Sequence, residues 1–598
     1  MNILLFTGKI DRENRNSKQK DLNSSTVSLA RLTEVAFTFL RLNMITGRNY
    51  AELDATEHGE EDGDVESKVE PRPLNPPPPV PAPKPKTQDE SEGIPKNSTR
   101  RERLYILIET SVPLILSFFL SFSGNFINLI FCGHLSAMTG STSSDLGPTP
   151  AQIFAGISLA NMWANVTYKS IIIGLSGAIE TLGSQNNGAG NYREVGLTFQ
   201  RAVFVLSMTC VPCFLSWQFS GEFFRLMRIE EPVCRVISDY LKIRVFEMPI
   251  GVLQTSYEKY LMSIGVMHPP LYGEAHFNLS LIALNLLFLY GGFGFGYKGL
   301  GYAYVLSLGA ALATQVAMAY RHPSVVRTMQ PFDWKEVVNV PKLREFVGLG
   351  LPGMIMLLSE WWAYELLSIF AGLLGTPEVS AQTIILSTAA LAYMFPLGTG
   401  IATASLVGNA LGAGNRDVAI DVAHLAFQVI ICLEVVLGIV IYFFGHFFVQ
   451  LFTDDFEILK VADSVMPFLS IFVMADGLNA VGSGVLRGCG KQFWGGVTNV
   501  VSYYLFGLPC AWFLCFNAGW RVPGLMMGLF AGTLSQVMSL LVFVYCMENY
   551  TFARAITVVQ NEPLSPLHDS KGGVIEMGSR GTFVISESGD SDDEPGWD

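Results

Sequence analysis

The sequence predicts an all-α membrane protein with twelve transmembrane helices in two six-helix lobes, related by a pseudo-twofold axis along the membrane normal. Three observations carry the prediction. Apolar runs of 20 or more residues recur from Leu104 onward, and about 20 such residues span a bilayer as a helix. Of 598 residues, 50% are hydrophobic and only 15% are charged, against about 25% charged in ordinary soluble domains, and mean hydropathy is +0.35. Finally, two short sequences recur at one shared offset.

The runs place spans near 105–131, 153–178, 198–219, 236–263, 272–293, 297–320, 345–374, 378–402, 419–444, 462–487, 494–516 and 523–547. They are continuous and do not alternate at period two, which excludes a transmembrane β-barrel. The segment Gly188-Ala189-Gly190-Asn191 matches Gly412-Ala413-Gly414-Asn415, and Gly221-Glu222-Phe223-Phe224 matches Gly445-His446-Phe447-Phe448, both 224 positions apart. The first pair follows spans two and eight, the second spans three and nine, so the repeat holds six spans. An even number gives both halves the same orientation, with a site expected at their interface.

The chain divides accordingly. Residues 1–103 form a polar tail expected to be disordered and cytosolic, with a proline-rich run at 71–86 that suits a polyproline II spacer. Residues 104–320 form the first lobe, 321–344 a linker loop, 345–550 the second lobe, and 551–598 a disordered acidic tail. Much of the net charge of −13 sits in the tails, at Glu52 to Glu70 and Glu587 to Asp598. Lys96, Arg100, Arg101 and Arg103 precede the first span, and Arg321, Arg327, Lys335, Lys342 and Arg344 follow the sixth. Loops 134–152 and 375–377 carry no Lys or Arg, although Arg225, Arg228 and Arg235 lie on that side. Positive charge favours the cytosolic side, so both tails are expected in the cytosol. Asn549-Tyr550-Thr551 is then no glycosylation site.

No basic patch with interleaved aromatics supports nucleic-acid binding. Nine cysteines include one CxxC, Cys210 to Cys213, inside an apolar run with no second half. They read as small buried hydrophobes, and neither a metal nor another cofactor is expected. The eight histidines are scattered, no Walker lysine follows the glycine loops, and no enzyme is predicted.

Intramembrane ionisable residues are costly and mark functional sites. Glu360 lies near the middle of span seven, Glu365 five residues on, and Asp476 mid-span in helix ten. Tyr364 shares a helical face with Glu360, and Trp361 shares one with Glu365. A carboxylate beside an aromatic ring can hold an organic cation, although Trp361 and Tyr364 also suit packing, and Trp362 reads as packing. Asn165 in span two can orient a solute or bond between helices. Lys169, in the same span, should reach either a cavity or a carboxylate. Glu180 and Arg487, near span ends, suit pairing or snorkelling; Glu258 and Glu434 suit helix interfaces.

Several segments together resemble the eukaryotic branch of the multidrug and toxic compound extrusion (MATE) family. They are Ser359-Glu360-Trp361-Trp362-Ala363-Tyr364-Glu365, Asn165-Val166-Thr167, Ala178-Ile179-Glu180-Thr181-Leu182, Val407-Gly408-Asn409-Ala410-Leu411-Gly412-Ala413-Gly414 and Gly484-Val485-Leu486-Arg487-Gly488. The resemblance covers about residues 100–550. It implies two lobes around a V-shaped cavity and efflux of organic cations or small aromatic metabolites, driven by proton or sodium entry. Glu360, Glu365 and Asp476 would then carry the coupling proton, and Asn165, Trp361, Tyr364 and Lys169 would meet the solute. Lys169 departs from the uncharged residue usual there, and Ser387-Thr388 stands where some members place a glutamate. The expected setting is a monomer in the plasma or vacuolar membrane, with the lipid bilayer, a small organic solute and a proton or sodium ion as partners. The rival reading is a lipid flippase or scramblase without ion coupling.

Overall fold

The computed structural model describes residues 94–138, 148–290, 295–450, 452–453 and 455–552, and three short strands beyond them. The proline-rich run at 71–86, residues 139–147 of the 134–152 loop and the remainder of both tails lie outside the described residues.

Twelve spans follow in order. The first lobe contains α1 (Arg100–Met138), α2 (Pro150–Ala164, then Ser170–Gly188), α3 (Tyr192–Gln218), α4 (Glu231–Arg244, then Glu247–Ser263), α5 (His268–Tyr290) and α6 (Lys298–Ala319). The second contains α7 (Val340–Leu374), α8 (Thr376–Gly412), α9 (Arg416–Gln450), α10 (Phe456–Gly488), α11 (Gln492–Val500, continuing to Asn517) and α12 (Arg521–Leu541, continuing to Cys546). Every predicted span has its helix.

Local sequence explains the ends. Thr149 caps α2 with Gln152 returning the bond, a capping box, and proline occupies the first helical turn. Asp455 caps α10 through the amides of Glu457 and Ile458. The two parts of α2 are joined by a π-helical turn, Asn165–Lys169, and wide turns of this kind recur at functional positions. Similar turns interrupt α11 and α12.

Each lobe has its own apolar core. Trp217, Tyr240, Leu241 and Ile157 centre the first; Phe472, Tyr503, Leu525 and Leu469 centre the second. The 321–344 linker forms two short helices, Pro323–Thr328 and Trp334–Val337, and docks on α3. Gln200 Nε2 donates to the Gln330 carbonyl at 2.9 Å, and Arg201 Nε to the Glu336 carbonyl at 3.1 Å. In the C-terminal tail, β1 (Leu567–His568), β2 (Val574–Met577) and β3 (Phe583–Ser586) pair as an antiparallel meander, with Val574 opposite Ser586.

The repeat is visible in the backbone. Gly190 and Gly414 close α2 and α8 with φ of 78° and 73°, left-handed values that glycine adopts without strain. The same two helix ends meet across the lobes. A Cβ on Gly188 would strike the Asn409 carbonyl, and one on Gly412 would strike the Gln185 carbonyl. Both the glycines and their partners are 224 positions apart, so the contact is its own mirror under the pseudo-twofold axis. The side chains follow suit. Thr181 Oγ1 donates to the Arg487 carbonyl at 2.7 Å, and its counterpart Ser405 Oγ donates to the Met262 carbonyl at 2.6 Å. Gln185 Nε2 donates to the Gly488 carbonyl at 2.9 Å; its counterpart Asn409 Nδ2 donates to the Ser263 carbonyl at 3.1 Å. Asn187 Nδ2 donates to Asn409 Oδ1 at 2.7 Å. The lobes thus meet in a polar seam beside the GAGN loops, on the face where α1 begins and α12 ends: Arg103 contacts Asp421, and Arg416 contacts Glu548 at 3.2 Å.

On the opposite face Arg225 is held by Glu222 and Glu231, and Arg235 lies 3.9 Å from Glu231. Hydrogen bonding to Arg225 holds the Glu231 carboxyl below its usual range. Acidic neighbours therefore offset Arg225 and Arg235, two of the three arginines that run against the charge count of that side.

Candidate functional site

The second lobe gathers acids around α10. Glu360 on α7 is buried, and Asn479 Nδ2 of α10 donates to its Oε1 at 3.4 Å. The same Asn479 amide reaches Tyr503 Oη of α11 at 3.4 Å, and Tyr503 Oη lies 3.3 Å from Thr533 Oγ1 of α12. One turn before Asn479, Asp476 is also buried and accepts a long bond from Tyr364 Oη at 3.5 Å. Glu360 and Asp476 act on each other electrostatically, as Glu434 of α9 does on Asp476. Glu434 is 1% exposed, and neither of its carboxylate oxygens has a hydrogen-bond partner. Tyr364 and Tyr503 meet edge to face, with ring centres 6.3 Å apart.

The chemistry of this arrangement is specific. Two carboxylates within electrostatic reach, served by amides and phenols, cannot both hold charge cheaply in a dry interior. A proton or a bound cation relieves them. Helix geometry brings them together: Glu360 and Tyr364 are one turn apart on α7, and Asp476 and Asn479 one turn apart on α10.

Sequence reasoning placed Glu360, Asp476 and Tyr364, and the structure brings these three together. Glu365 is exposed and stands apart, as expected from five residues of helix, about 140° of rotation. Trp361 is 37% exposed and Trp362 51%; neither packs into the acid cluster. Asn165 is exposed in the π-helical turn. Lys169 is half-buried in the first lobe, where its Nζ donates to Tyr304 Oη at 2.8 Å and acts electrostatically on Glu274. Tyr304 also lies under the Arg244 guanidinium at 4.1 Å. Lys169 thus reaches a phenol directly and a carboxylate through space.

Asn479 and Tyr503 were missed, as was Tyr393 of α8, which interacts electrostatically with Glu360 and Asp476. Asn479 had a signal, since it follows Asp476 by three residues and shares its face. Tyr503 and Tyr393 come from other spans, and no periodicity announces them. Glu434 reads as an interface residue in sequence, and it is one, packed against Gly477 of α10.

Twelve helices in two repeated lobes, with buried acids in the middle of the second, define a polytopic secondary-transporter fold. Comparison with known proteins makes this particular: the MatE family pattern matches residues 113–290 and 352–513, and the chain belongs to that family of multidrug and toxic compound extrusion transporters. It is 30% identical over 456 residues to human multidrug and toxin extrusion protein 1, covering 75% of each chain. It is also 30% identical over 435 residues to an uncharacterised transporter of Schizosaccharomyces pombe, covering 72% of this chain and 77% of the other. Among solved structures, the fold matches the eukaryotic MATE transporter AtDTX14 with a TM-score of 0.67 at 24% identity, over 76% of this chain and 97% of that one. A Vibrio cholerae MATE transporter matches with a TM-score of 0.67 at 16% identity, over 77% and 99%. The chain is therefore a multi-pass membrane transporter.

Proposed function

We propose that the chain is a secondary active antiporter that exports organic cations or small aromatic metabolites in exchange for protons. The observation that carries the reading is the buried Glu360–Asp476 pair, joined to α11 and α12 through Asn479 and Tyr503. One proton on the pair neutralises part of its charge; its loss restores a counter-charge for a cationic solute. Tyr364 adds an aromatic face beside that charge. The lobes rock about the shared axis, so the pair meets each side of the membrane in turn. Both tails lie in the cytosol in this reading, with the seam on the cytosolic side. Solute contacts are assigned to Tyr364, with Asn165, Trp361 and Lys169 as further lining positions. The setting is a monomer in the plasma or vacuolar membrane.

The test is transport in proteoliposomes. A fluorescent organic cation should move against an imposed pH gradient, and an equal sodium gradient should not replace it. Movement only under the sodium gradient would transfer the coupling to sodium. Lipid movement without solute movement under either gradient would establish the flippase reading instead.

A further inference from the structure

The seam between the lobes repeats two of its side-chain hydrogen bonds under the 224-residue offset and does not repeat its charges. Glu180 of α2 corresponds under the 224-residue repeat to Ala404, so the ion cluster around it occurs once. Glu180 is 2% exposed. Lys259 of α4, in its own lobe, contacts its Oε1 directly. Arg487 of α10, in the other lobe, approaches its Oε2 at 3.5 Å, and neither that oxygen nor Arg487 Nε makes a hydrogen bond. Arg487 is the loose member of the cluster and the one that crosses the seam.

Arg487 also looks the other way. Long side chains on a helix lean toward its N-terminus, which for Arg487 is the direction of Asn479 and hence of Glu360. Arg487 acts electrostatically on Glu360 of α7 and Tyr393 of α8. Asp476 is eleven residues up α10, roughly 16 Å along the axis. Tyr364, Tyr503 and Glu434 face Asp476 from α7, α11 and α9. One guanidinium therefore approaches a seam carboxylate at 3.5 Å and acts electrostatically on a carboxylate of the proposed coupling pair.

We propose that Arg487 is a shared counter-cation that links ionisation of Glu360 to closure of the inter-lobe seam, acting through Glu180. The inference rests on the coupling role proposed for Glu360. With Glu360 ionised, Glu180 and Glu360 balance Lys259 and Arg487, and the closed seam is neutral. A proton on Glu360 leaves one positive charge uncompensated in a buried interface. An unpaired buried charge is strongly unfavourable, so the seam opens and water reaches Arg487. The sign suits an antiporter: the proton-loaded carrier opens on the seam side, and loss of the proton there exposes the ionised pair to the solute.

The test reads seam closure without transport. Asn187→Cys and Asn409→Cys, introduced together, place thiols across a contact of 2.7 Å, and their disulfide forms only while the seam is closed. All variants are compared in that background at one mildly alkaline pH, so thiol ionisation is constant. Glu360→Gln should slow cross-linking several-fold. Adding Arg487→Gln to Glu360→Gln should restore the parent rate, because Glu180 and Lys259 then balance alone. Adding Arg487→Lys, which keeps the charge, should leave it slow and shows that loss of charge, not of packing, is what rescues. Parent-rate cross-linking in Glu360→Gln, or a double variant with Arg487→Gln as slow as the single, overturns the proposal. If Glu360→Gln transports normally, the coupling role of Glu360 fails on a separate readout.

Discussion

In the first lobe buried charges meet opposite charges. Arg244, 1% exposed, rests on Glu247 and donates to Asn161 Oδ1 at 2.6 Å, and Lys259 contacts Glu180. In the second lobe Glu360, Asp476 and Glu434 meet an amide, a phenol and nothing. Among the described residues, all six spans of the second lobe are long and apolar enough to cross a membrane by composition, but only α1, α3 and α6 of the first are. α4 is broken into helices of 14 and 17 residues, and Glu180 and Lys169 interrupt α2. A direct ion pair makes a buried charge tolerable and structural; an acid hydrogen-bonded only by neutral groups holds its charge less securely. The first lobe has one partial exception. Glu258 accepts from Gln315 Nε2 at 2.7 Å and from Gln254 Nε2 at 3.1 Å, and the Gln254 amide also reaches Glu274 at 3.4 Å. This acid pair has Lys169 acting on it, whereas the cation acting on the Glu360 pair is the seam residue Arg487.

The sharpest way to break this contrast is Glu360→Gln. Transport driven by a pH gradient should fall close to background, with the protein still inserted and monodisperse; Asp476→Asn should lose at least about tenfold, or 1.4 kcal/mol. Normal rates in both would remove the second lobe's special status. In the first lobe the expected loss is of stability. Arg244→Met strands Glu247 and should cost about 3–5 kcal/mol, seen as a lower unfolding temperature in detergent, and adding Glu247→Leu should recover part of it. Glu258→Gln should reduce gradient-driven transport by only a few-fold; a loss as deep as that of Glu360→Gln would show that both lobes couple. Lys169→Met should leave the rate within a few-fold and shift preference toward more cationic solutes, measured by competition between a cation and a neutral analogue. Glu365→Gln, at an exposed position, should change transport least of all.

Much of this was legible in the sequence. The twelve spans follow from apolar run length, and the six-span repeat from two matches at one offset. Glu360 and Asp476 stood out because a carboxylate is rare in such runs. Helical spacing correctly joined Tyr364 to Glu360 and separated Glu365. It could not tell which face of α7 meets α10, so Trp361 remained a candidate although the structure leaves it 37% exposed. Nor could it find Tyr503 or Tyr393, since a contact between distant spans leaves no mark in either. The partners of Glu180 were hidden for the same reason: Lys259 and Arg487 lie 79 and 307 positions further along the chain, and only folding brings them to one carboxylate.

The paired glycines and amides of the seam have a geometric consequence. Gly188 meets Asn409 as Gly412 meets Gln185, the reciprocal pattern of an interface between identical subunits. A six-helix unit bearing one such helix end could close on a second copy of itself with no new contact. The seam thus has the geometry of a homodimer interface whose two units are joined into one chain by the 321–344 segment, and Glu180 opposite Ala404 is a position where the two units differ.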